Sequence, residues 1–86
     1  MDEQQKRLEM FLIDYADQKA RAADIENAIL QFASNEAAVG FLLTGFEKAI
    51  QESTESFLKL NELGIKDHNT AILEALKIKD RRAANG

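Results

Sequence analysis

The sequence predicts an all-α fold: two long antiparallel helices forming a hairpin, followed by a short third helix, in a single domain of residues 1–86. Three observations predict it. Apolar positions spaced by alternating threes and fours run from Leu8 to Leu60 (Leu8, Phe11, Tyr15, then Ala22, Ile25, Ile29, Phe32, Val39, Leu43, Phe46, Ile50, Phe57 and Leu60). That spacing keeps one narrow stripe on one side of an α-helix, as in the seam of a coiled coil or helical hairpin. A polar turn signal, Ala33-Ser34-Asn35-Glu36, interrupts the stripe near its middle. Proline is absent and 45% of the residues are apolar, which suits long uninterrupted helices around a real core.

The first helix is expected over roughly residues 3–33. Continued as one rod to residue 62 it would be roughly 90 Å long at 1.5 Å per residue, so a fold-back is the better solution. Ser34 and Asn35 are strong N-cap residues, because a short side-chain oxygen accepts a hydrogen bond from an unpaired N–H of the next helix. Glu36 then stands in the first turn of the second helix, where the helix dipole favours negative charge. Reversal there pairs Phe32 with Val39, Ile29 with Leu43, Ile25 with Phe46, Ala22 with Ile50, Tyr15 with Phe57 and Phe11 with Leu60. The same register sets Gln18 opposite Ser53, two polar breaks in the stripe that are expected to hydrogen-bond and fix alignment.

The second helix, expected over 35–63, ends on Leu60-Asn61-Glu62-Leu63-Gly64-Ile65. Gly64 suits the left-handed position of a Schellman ending, with Ile65 folding back onto Leu60. Asp67 is the expected cap of a third helix over 67–82, which should fray through Arg81 to Gly86. Helix 1 carries a second stripe of Ile13, Ala16, Ala20, Ala23, Asn27 and Leu30, against which Ile72, Leu73 and Leu76 are expected to pack. At roughly 24 Å the third helix covers Ile13 to Ala23 and stops short of the hairpin tip.

The tip is the candidate functional surface. Leu30 and Phe41 fall near one level, with Ala37, Ala38 and Leu42 close by and Gly40 and Gly45 inside the second helix. A helical glycine costs about 0.5–1 kcal/mol relative to alanine, so something is expected to pack closely there. Uncovered apolar surface of this kind marks an interaction site, here Leu30, Ala37, Ala38, Phe41, Leu42 and Gly45. The alternative places Phe41 in the core, with the glycines marking a kink or a later turn.

Composition narrows the chemistry. There is no cysteine and one histidine, which leaves neither a disulfide, a zinc-thiolate site nor the Glu-x-x-His pairs of a di-iron bundle. Asp67-His68-Asn69 starts like a calcium loop, but Ile72 stands where that loop needs glycine and Ile78 where it needs glutamate. His68 reads as a solvated helix-start residue rather than a base, and no phosphate-binding glycine motif occurs. The pairs Asp14/Asp17 and Glu52/Glu55 read as solvated helix surface. No enzyme activity, cofactor, metal or small-molecule substrate is expected.

Net charge is −4, with −3 on residues 1–34, −3 on 35–64 and +2 on 65–86. Acidic helices argue against both nucleic acid and lipid surfaces. Lys77, Lys79, Arg81 and Arg82 could contact nucleic acid, but complementing their helix dipole and pairing with the acidic hairpin is the preferred reading. The start, Met1-Asp2-Glu3-Gln4-Gln5, has neither the basic nor the apolar region of an export signal, and no apolar run spans a bilayer, so a cytoplasmic protein is expected. The expected function is protein–protein interaction by helix packing, as a homodimeric regulatory adaptor, inhibitor or chaperone-like subunit. A nucleic-acid-associated regulator using residues 77–82 is the second reading.

Overall fold

The computed structural model describes residues 2–85; Met1 and the expected fraying at Gly86 lie outside the described residues. The chain forms α1 (Glu3–Gln31), α2 (Glu36–Glu62) and α3 (His68–Asn85), with no strand among the described residues. α1 and α2 pack as an antiparallel hairpin, and α3 packs on α1.

Local chemistry sets the element ends. Asp2 caps α1 by accepting from the Gln5 N–H at 2.7 Å. At the turn, the Asn35 side chain accepts from the Ala38 N–H at 3.0 Å, and Glu36 opens α2 as expected. α2 ends in the expected Schellman pattern: Ile65 N–H donates to the Leu60 carbonyl at 2.9 Å and Gly64 N–H to Asn61 at 3.2 Å. Gly64 has φ 101°, a conformation that costs a Cβ-bearing residue about 1–2 kcal/mol. Asp67 caps α3 through both carboxylate oxygens, each 2.8 Å from Thr70, one from its N–H and one from its hydroxyl. The Thr70 N–H, followed by the Thr70 hydroxyl, holds the Asp67 carboxyl below its ordinary pKa.

The hairpin register holds at the open end and drifts toward the tip. Tyr15 and Phe57 stack with ring centroids 5.3 Å apart, as the pairing predicts. Further along, Ala49 is fully buried while Ile50 is exposed, and Gly45 lies against Ile25 beside the half-buried Phe46. The cause is the mismatch between 3.6 residues per turn and a 3.5-residue stripe, which rotates the stripe about 20° per heptad. Two heptads from Phe57, Leu43 has left the seam and Leu42 has turned toward it.

The polar lock expected between Gln18 and Ser53 does not form. Ser53 is buried but donates to the carbonyl of Ile50 in its own helix at 2.8 Å, and the Gln18 Oε1 is buried without a partner. A serine hydroxyl reaches a carbonyl one turn back more easily than a side chain across a seam.

α3 corrects two further expectations. Its buried residues are Ala71, Ala75 and Ile78, which join Leu12, Tyr15 and Leu60 in the core, with Ile72 packed alongside. Leu73 and Leu76 point outward instead of covering α1. Two alanines on the contact face let the helix axes approach closely, whereas leucines there would hold them apart. The contacts of α3 fall between Leu8 and Asp17 of α1, with His68 against Tyr15, Lys79 against Asp17 and Arg81 against Glu9. The molecule measures 49 × 29 × 19 Å. α1 at ~44 Å accounts for the first dimension and α3 at ~27 Å for the second, so α3 lies across the hairpin rather than along it. Ala20 and Ala23, which α3 was expected to cover, are exposed. The helix also continues to Asn85 instead of fraying at Arg81, because Arg81 is tied to α1.

Candidate functional site

The burial pattern divides the molecule in two. Every buried residue lies at or before Ala22 or at or after Ala49, so no side chain in residues 23–48 is buried. Two helices in contact can bury one narrow strip each, and only a third element deepens that strip into a core. α3 supplies that element at the open end alone.

The part of the uncovered half around the turn is nearly uncharged, with Asp24, Glu26, Glu47 and Lys48 standing at its edges. From Asn27 to Phe46 the only charged residue is Glu36, in a chain that is 30% charged. Four large apolar side chains in it face solvent: Leu30 at 71% exposure, Phe32 at 51%, Phe41 at 81% and Leu43 at 43%. Aromatic and aliphatic side chains without charged neighbours are the composition of an interface core.

Helix geometry sorts these residues onto two flanks. Leu30 follows Leu12 by roughly five full turns and so continues the line of α1 that meets α3. Leu43 precedes Phe57 by roughly four turns and lies on the same flank. Phe41 sits one turn before Gly45, whose face meets Ile25 on the opposite flank, and Phe32 lies two turns beyond Ile25 there. Leu30 and Phe41 therefore share a level, as the sequence suggests, but look out on opposite sides. Of the other expected tip residues, Ala37 is exposed, while Ala38, Leu42 and Gly45 are half-buried toward the seam. α2 is continuous through both glycines, and Phe41 is not a core residue of the single chain.

The two glycines have different surroundings. A Cβ on Gly45 would stand 3.5 Å from Ile25 Cδ1, an ordinary van der Waals contact, so Gly45 lies in the seam where an alanine would also fit. A Cβ on Gly40 would meet nothing within 4 Å, and its φ is not positive. Within one chain Gly40 is unexplained.

The basic segment of α3 is engaged. Lys77 pairs with Glu74 at 3.1 Å, Lys79 with Asp17 at 2.7 Å and Arg81 with Glu9 at 3.0 Å, and Arg82 lies 3.9 Å from the same Glu9 carboxylate. Apart from Lys77, whose partner lies in α3 itself, this is the pairing with the acidic hairpin that the charge distribution predicts. Glu9 itself was not legible as a special residue, although only 5% of it is exposed. The available signal was its place one turn before Ile13, where it heads the stripe that meets α3.

The Tyr15 hydroxyl lies 2.6 Å from His68 Nδ1, a partner that sequence reasoning did not assign. Asp14, Glu52 and Glu55 line an open groove of about 380 Å³ with Phe11, Gln18, Ser56 and Lys59. Among the described residues no group of three His, Asp or Glu side chains is placed to hold a metal ion. No helix among them is long and apolar enough to cross a membrane. Comparison of the chain with protein-family models, curated proteins and solved structures gives no match to any of them.

Proposed function

We propose that this chain is a small non-enzymatic protein–protein interaction module, working in the cytoplasm as a regulatory adaptor, inhibitor or chaperone-like subunit through helix packing at its hairpin tip. The observation that carries this reading is the combination of exposure and charge depletion at residues 27–46, with Phe41 the most exposed of the large apolar side chains. Such a surface loses free energy by meeting another apolar surface, at roughly 25 cal/mol per Å² removed from water. The acidic remainder of the molecule keeps it dispersed and leaves the tip as the part that others can touch.

Site-specific photocrosslinking in cells tests the reading. A photoreactive residue at Phe41 should give defined protein adducts, whereas the same residue at Leu58, an exposed leucine near the open end, should give none above background. Equal labelling from both positions, or no protein adduct from position 41, contradicts the module. The competing reading needs Lys77, Lys79, Arg81 and Arg82 to be available to phosphates, and their pairing with carboxylates weighs against it.

A further inference from the structure

We infer that the partner of the tip is a second copy of this chain, docked on the outer face of α2 so that Phe41 of each copy fills the hollow at Gly40 of the other. The inference rests on the interaction-module reading and names the occupant that the reading leaves open.

Three observations lead to it. The first is area. The chain exposes 5999 Å². A compact monomer of its 9.6 kDa exposes roughly 5,100 Å² by the mass scaling of folded proteins, leaving an excess of about 900 Å². A stable interface of standard size removes about 800 Å² from each partner, so one copy of a self-complementary contact absorbs the excess.

The second is shape. Gly40 and Phe41 are adjacent on α2, one a gap in the helix surface with open space around it and the other the most exposed large side chain of the chain. Ala37 lies one turn before them and Thr44 one turn after, both exposed and small, with the Thr44 hydroxyl turned back to the Gly40 carbonyl at 3.3 Å. A protrusion beside a hollow satisfies a two-fold axis, because each copy offers what the other needs. This gives Gly40 the reason that the single chain lacks.

The third is charge. Two chains of net charge −4 repel one another over most of their surfaces. They meet with least repulsion at the tip, where each contributes Glu36 and, at the edge of the α2 face, the opposite charges of Glu47 and Lys48.

Sedimentation equilibrium between about 1 µM and 1 mM tests the inference, a range that brackets a moderate to weak dissociation constant. The unsubstituted chain should pass from one to two chain masses. Phe41→Asp should remain at one chain mass throughout while keeping its helical circular dichroism, since Phe41 supports nothing inside the monomer. Gly40→Ala carries the sharper test. It adds a Cβ that meets nothing in the single chain, so the melting temperature of the dilute monomer should not fall, yet it fills the hollow and should raise the dissociation constant tenfold or more. Leu43→Asp, on the other flank, should leave the dimer intact.

An unsubstituted chain that stays monomeric to the top of the range overturns the inference, as does a Gly40→Ala variant that dimerises unchanged or a dimer that Leu43→Asp alone dissociates. A monomer that still crosslinks to a different protein from position 41 defeats the second copy and spares the interaction module. A monomer that crosslinks to nothing defeats both.

Discussion

Tyr15 joins all three helices. It stacks on Phe57 of α2, its hydroxyl meets His68 Nδ1 at the start of α3, and Lys19 approaches its ring face at 5.7 Å. When the His68 ring carries its proton on Nε2, the phenol donates to Nδ1, which keeps a buried hydroxyl satisfied. Burial raises the Tyr15 pKa above its ordinary value of 10.0. In the unfolded chain the phenol has that ordinary value and loses its proton first. The stabilising contribution is therefore complete below pH 10.0 and is lost as pH rises through the higher folded value. Tyr15 is the only tyrosine, so the ultraviolet signal of phenolate reports this residue alone. The folded protein should titrate above the same chain in urea, and coincident midpoints would show that the hydroxyl is solvated.

At the scale of the helices, the seam depends on small residues where α1 and α2 come closest. Ala22 and Ala49 are both buried, and Gly45 lies against Ile25. Ala49→Leu should therefore lower the unfolding free energy by about 1–3 kcal/mol in urea denaturation, because a tight seam cannot take extra methylenes without shifting. A change near zero would mean that the arms are held apart. The element ends were legible because capping chemistry is local: Asn35, Gly64 and Asp67 act on backbone groups within a few residues. So was the pairing of Tyr15 with Phe57. The inward turn of Ala49 instead of Ile50 was not, because it depends on helix twist accumulated over several turns. The roll of α3 onto Ala71 and Ala75 was equally hidden. Leu73 and Leu76 are the more hydrophobic choice, and only the close approach to α1 favours the alanines. The hydrogen bond expected between Gln18 and Ser53 was misjudged, since the nearer carbonyl of Ile50 takes the serine hydroxyl.

The whole molecule is asymmetric in stability. Its core, Leu12, Tyr15, Leu60, Ala71, Ala75 and Ile78, lies where α3 crosses the hairpin, and the opposite half of both long helices has no buried side chain. The location of the tip surface was legible from the placement of Leu30 and Phe41, although α3 leaves it bare by crossing the hairpin and not by stopping short along it. Its division into two flanks was not, since this requires knowing which residues of each helix face the seam. The second chain covers the outer face of α2 that the single chain leaves bare, so tip protection must depend on protein concentration. Amide hydrogen exchange across a dilution series measures this directly. At the lowest concentration, amides of residues 37–46 should exchange at least about tenfold faster than those of residues 49–60, and they should slow toward the latter as concentration rises. Equal protection of both segments at every concentration would contradict the account, because it would mean that the tip of one chain needs nothing to cover it.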